Sequence, residues 1–67
     1  MPHYEIRLRG RVDPSWSTWL GDLALQPSDG GDTILSGTIA DEAALHGVLA
    51  RIRDMALELL SLRRLDG

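Results

Sequence analysis

A chain of 67 residues has room for one domain and for no second one. Its formal charge of -3 argues against nonspecific nucleic-acid binding, because phosphate contacts call for a positive surplus. With no cysteine and two histidines, disulfides, thiolate metal sites, thiol redox chemistry and His-rich metal centres are excluded. So short a chain buries a modest fraction of its surface, which leaves self-association as the available staple. The apolar content of 43% is that of a globular protein. All seven basic residues are Arg. No apolar run reaches the roughly 18 residues of a membrane span. The N-terminus alternates in polarity instead of placing a basic region before an apolar core, so it does not read as a secretion signal. A cytoplasmic protein, without membrane contact, is expected.

In chain order, residues 4–12 alternate: Tyr4, Ile6, Leu8 and Val12 share one side, and Glu5, Arg7, Arg9 and Arg11 the other. This predicts a half-buried strand with a charged outer row, interrupted at Gly10 by a bulge or a close backbone approach. Asp13-Pro14 then signals a helix start, Asp as N-cap and Pro at the first helical position. Trp16, Trp19 and Leu20 share a face, and Gly21 is a plausible C-cap. A helix of about two turns over 14–20 is expected, dropping at least one indole onto the sheet. Residues 22–26 read as a short strand around Leu23 and Leu25. Pro27-Ser28-Asp29-Gly30-Gly31-Asp32 is the strongest turn signal, and residues 33–40 form the second arm of a hairpin. Leu35, Gly37 and Ile39 share one face of that arm.

Residues 41–56 carry the sustained helical pattern. Leu45, Val48, Leu49, Ile52, Met55 and Ala56 fall at i, i+3, i+4 and i+7 spacing, with Asp41 as N-cap and Arg51 and Arg53 toward the C-terminal end. The chain closes with Leu57-Glu58-Leu59-Leu60-Ser61-Leu62-Arg63-Arg64-Leu65. These residues favour a helix, and continuation of the long helix is the alternative. A break near 56–58 and a final strand over 59–64 is preferred, because the first strand needs a partner on its open side. The order strand, short helix, strand, strand, long helix, strand predicts an α+β fold: a minimal ferredoxin-like βαββαβ with a shortened first helix. Its four-stranded antiparallel sheet takes the order 4-1-3-2, with both helices on one face. The expected core is Ile6, Leu8, Trp19, Leu23, Leu25, Leu35, Ile39, Leu45, Val48, Leu49, Ile52 and Leu62. Leucines on both alternate rows of the last strand imply cover on both of its faces, which a second copy can supply.

Arg7, Arg9 and Arg11, extended by Arg63, form the candidate basic row. It lacks the sheet-face aromatics on which RNA-binding domains stack bases, and a solvated or inter-subunit row paired with Glu5 or Glu58 is the plainer reading. Trp16 and Trp19 suit either a contact surface or core filling. His3 and His46 have no ligand partners at metal spacing, Ala standing at position 50. Gly30-Gly31 is a turn and lacks the strand–glycine–helix context of a phosphate loop. Met1-Pro2 ahead of an Arg-bearing strand is superficially similar to small tautomerases, which use an N-terminal proline amine as base. That likeness covers Pro2 and one Arg, the long helix stands in a different place, and with Met1 ahead of it the Pro2 nitrogen is an amide.

The stretches YEIRLRG, WSTWL, DGG with TILSG, and ALHGVLARIRDMALELLSL together resemble a group of short uncharacterised bacterial proteins, over nearly the whole chain. The resemblance implies no activity and assigns no functional residue. The expectation is therefore a single domain over 1–67 that self-associates as a dimer or higher homo-oligomer and acts by binding, without catalysis or cofactor. Its interaction surface would comprise Arg7, Arg9, Arg11, Arg63 and Trp16 with the edge strands. The rival is a small-ligand sensor or carrier with a pocket at a subunit interface near Trp16 and the Arg row; a tautomerase using Pro2 is the third reading.

Overall fold

In a computed structural model, which describes residues 2–65, the chain runs β1 (His3–Leu8), a 3-10 helix (Pro14–Ser17), β2 (Ala24–Pro27), β3 (Thr33–Thr38), α1 (Glu42–Asp54) and β4 (Leu59–Arg64). This is an α+β arrangement with one α-helix. The strands form one antiparallel sheet in the order β2-β3-β1-β4. Period-two alternation sorts its two faces. Ile6 lies opposite Leu35 on β3 and Leu62 on β4, and this row faces the helix. Arg7 lies opposite Ile34 and Ser61, and Glu5 opposite Ser36 and Arg63, on the face away from it.

β1 is shorter than its alternating sequence. It stops at Leu8, and Gly10 turns the chain away with φ +82°, a conformation that suits a residue without Cβ. The turn is held from the β3 side. Thr33, 3% exposed, donates its hydroxyl to the Gly10 carbonyl at 2.8 Å and accepts the Val12 N–H at 3.0 Å. The Asp32 carboxylate accepts the Gly10 N–H at 3.1 Å. Five polar groups are thereby paired, and leaving one of them buried without a partner would cost about 1–3 kcal/mol. The expected strand over 4–12 is corrected accordingly: Arg9 and Arg11 lie beyond it.

The first helical segment is a single 3-10 turn in place of the expected two turns. Asp13 caps it, accepting the Ser15 N–H at 3.0 Å, and Pro14 opens it. In a 3-10 turn side chains at i and i+3 eclipse, so so tight a segment covers little of a sheet. Trp16 and Trp19 stay 45% and 49% exposed, and Leu20, fully buried, enters the core instead. The expected burial of Trp19 is thus overturned. Its indole lies against α1, with the Arg51 guanidinium 4.7 Å from the ring centroid and donating to the Trp19 carbonyl at 3.3 Å. Ser17 ties the segment to the start of β2, its hydroxyl donating to the Leu23 carbonyl at 2.7 Å. Leu23 in turn fits over Gly37, where an added Cβ would come within 2.8 Å of its methyl carbon.

α1 begins as its sequence requires, with the Asp41 carboxylate accepting the Ala44 N–H at 2.8 Å. It ends two residues before the expected limit. Ala56 takes φ +58°, its N–H bonds the Arg53 carbonyl at 2.9 Å, and the Leu57 N–H bonds the Ile52 carbonyl at 3.1 Å. This is the paired-bond helix stop known as a Schellman motif, with Ala in the place usually taken by Gly and with Leu57 packed into the group that contains Ile52. The chain reverses and enters β4, whose bounds are those expected.

The buried core is Ile6, Leu8, Leu20, Leu23, Leu35, Ile39, Val48 and Ile52. Leu25, Leu45 and Leu49 pack at its margin, half-buried. Leu62, expected inside, is 39% exposed on the row facing the helix: α1 buries Val48 and Ile52 over the sheet's middle and leaves the β4 margin uncovered.

Candidate functional site

The expected basic row is divided by the end of β1. Arg7 is half-buried on the face away from α1, and Arg63 is beside Glu5 on the same face, 3.7 Å from its carboxylate. Arg9 continues along β4: its N–H bonds the Glu58 carbonyl at 2.9 Å and its guanidinium lies 3.6 Å from the Glu58 carboxylate. The Arg9–Glu58 pair is largely exposed and in the other only Glu5 is sheltered, so each contributes at most about 1 kcal/mol. Arg11 departs altogether. It joins Trp16, Asp13, Asp54, Met55 and Leu57 around an open groove of about 420 Å³. The five residues expected to form one surface therefore belong to two regions: Arg7 and Arg63 on the sheet with Arg9 just past the end of β1, and Arg11 with Trp16 where the 3-10 turn meets the end of α1.

Other candidates take ordinary places. His3 and His46 are exposed, and among the described residues no group of three His, Cys, Asp or Glu is arranged to hold a metal ion. The Pro2 carbonyl accepts the Ile39 N–H at 3.0 Å, fastening the chain ahead of β1 to the end of β3. No helix among the described residues is long and apolar enough to cross a membrane.

Of the edge strands expected to join the interaction surface, β4 carries the exposed apolar side chains. Leu59, Leu60, Leu62 and Leu65 are each between 37% and 43% exposed, on the strand at the sheet's edge or directly after it. Beside them, Leu49, Ile52, Ala56, Leu57 and Leu59 line a groove of about 440 Å³ between the end of α1 and β4. The signal was present: leucines on both alternate rows of the last strand. Those rows imply cover on both faces of the strand; of them only Leu62 is expected in the core, and it stays exposed because the helix does not reach that far. The opposite edge is different. β2 is four residues long, ends in Pro27, and has the 3-10 turn against it.

Fold and surface define a small α+β domain, one helix on a four-stranded antiparallel sheet with an apolar edge strand. The chain belongs to the family described as a domain of unknown function, DUF8691, whose model matches residues 3–63. No curated protein and no solved structure matches it.

Proposed function

We propose that this is a non-catalytic interaction domain of minimal ferredoxin-like form, whose activity is self-association through the β4 margin of its sheet. The order β2-β3-β1-β4, read from its far edge, is the 4-1-3-2 of ferredoxin-like folds and supports that classification. The observation that carries the functional reading is the row of exposed leucines on an edge strand. Exposed apolar side chains beside unpaired backbone groups are what β-sheet proteins ordinarily avoid, and they mark association surfaces when they occur. Arg7 and Arg63 on the adjoining face supply a polar rim. Sedimentation over a micromolar concentration series tests the reading: the expected result is a reversible homo-oligomer, and a folded monomer at every concentration overturns it.

The groove holding Arg11 and Trp16 favours a second reading, a carrier of small anionic or aromatic ligands. Its test is a change in tryptophan emission on titration with aromatic acids, abolished by Arg11→Ala.

A further inference from the structure

We infer that two copies join edge to edge, β4 pairing antiparallel with the β4 of a second copy about a two-fold axis at Ser61. The inference rests on the self-association reading and specifies its geometry. Two four-stranded sheets would then become one sheet of eight strands, with both helices on the same face.

The backbone of β4 is set up for this. The Leu65 N–H donates to the His3 carbonyl at 2.7 Å, continuing the register in which Arg64 opposes Tyr4. Hydrogen-bonded and non-bonded pairs alternate along an antiparallel ladder. Arg63 with Glu5 and Ser61 with Arg7 are therefore bonded pairs, and Leu62 with Ile6 is not. The N–H and C=O of Leu62 turn away from β1, toward the outer side of the sheet. No Pro, Gly or Lys interrupts β4, and its two charged residues, Arg63 and Arg64, are confined to its C-terminal end, leaving Leu59 to Leu62 without a charge. The irregularity between Arg7 and Leu8, where the register passes from Ser61 to Leu59, adds local twist at one end of the strand.

The occupant follows from the charge order along β4. A two-fold contact presents the same patch to itself, so the patch must be self-complementary. Glu58 stands just before the strand and Arg63 and Arg64 stand at its end. Antiparallel apposition brings the acidic end of one copy to the basic end of the other. An axis at Arg63 would set two guanidinium groups face to face, and an axis at Leu62 would leave them on adjacent diagonals. An axis at Ser61 separates them, sets Arg64 opposite the partner's Glu58 and Leu60 opposite the partner's Leu62, and keeps Leu62 among the hydrogen-bonded positions.

Size bounds the contact. A standard interface takes about 800 Å² from each partner. The whole chain exposes 4370 Å². A six-residue strand is only about 20 Å long. The strands alone fall short of that area, and the groove of Leu49, Leu57 and Leu59, rimmed by Arg53 and Glu58, is the surface that can add to it, so a reversible dimer is expected, with a dissociation constant on the order of micromolar.

The chain has no cysteine, so a single one reports cleanly. At a non-bonded pair the Cα atoms approach to about 4.5 Å, within disulfide range. Ser61→Cys is expected to convert to a disulfide-linked dimer on mild oxidation at micromolar concentration, and Gln26→Cys, on the same face at the opposite edge, to remain monomeric. Leu62→Pro removes an outward N–H and no bond to β1; it is expected to weaken dimerisation about tenfold or more, with Leu62→Lys as the companion variant should proline disturb the strand. If the unmodified chain sediments as a monomer, both this geometry and the self-association reading fall. If it dimerises but Ser61→Cys does not cross-link, Gln26→Cys does, or neither Leu62 variant weakens the dimer, the geometry falls and self-association stands.

Discussion

The two edges of this sheet follow opposite rules. β2 is short, ends in a residue without an N–H, and is flanked by the 3-10 turn, whose Ser17 hydroxyl takes up the Leu23 carbonyl. β4 is half again as long, three of its six residues are leucine, and the helix that should shelter it stops short. The first is how a small protein protects a sheet from unwanted pairing. The second would be a liability unless something covers it. The difference teaches where the core ends: burial is concentrated on β1, β3 and the helix above them, and β4 is held mainly through its ladder to β1.

Substitutions can break or sharpen that contrast. Leu35→Ala empties a fully buried position on β3 and is expected to cost about 3 kcal/mol, a large part of what a domain this size possesses, read as a fall in the denaturant midpoint. Thr33→Val keeps the shape but strips the Gly10 carbonyl and the Val12 N–H of their partner; a loss of about 2 kcal/mol is expected by the same measurement. Ala56→Gly should act in the other direction. It relieves a left-handed residue that carries a Cβ, and a gain of about 1 kcal/mol, or about 5 °C in Tm, is expected by calorimetry. Smallest in its effect on the fold is Leu60→Lys at the β4 edge. Below the dissociation constant, unfolding should change by no more than about 0.5 kcal/mol, while sedimentation at high concentration shows association lost. A large destabilisation of the isolated chain by Leu60→Lys would mean that the two edges are not distinct in the way described.

Much of the architecture was legible because its determinants are local. Asp41 and the apolar stripe after it specify α1, the Pro27–Asp32 turn residues specify a hairpin, and alternation specifies the row of Tyr4, Ile6 and Leu8. β4 was legible only through the need of β1 for a neighbour; its own residues favour helix, and the stop falls at an Ala, where no composition rule marks it. The misreadings share a cause. Val12 continues the alternation of β1, but the side chain that ends the strand, Thr33, comes from another part of the chain. Trp19 is assigned to the core by size, whereas the length of the 3-10 turn decides how far its indole reaches, and Leu20 is the residue that arrives. The division of Arg7 from Arg11 follows from Gly10, whose φ separates two positions that period two would align. The leucines of β4 were visible as a pattern, but whether a helix covers them depends on where its axis crosses the sheet, which no single segment encodes.

The proline that closes β2 has a consequence for how far assembly can proceed. When two copies meet through the same strand, the only sides left facing outward are the ones that β2 forms, and these are poor templates for another ribbon. If copies join through β4 as inferred, growth would terminate after one joining event instead of running on into fibres. Replacing Pro27 with a residue that restores the amide would reopen the far side and remove that terminator.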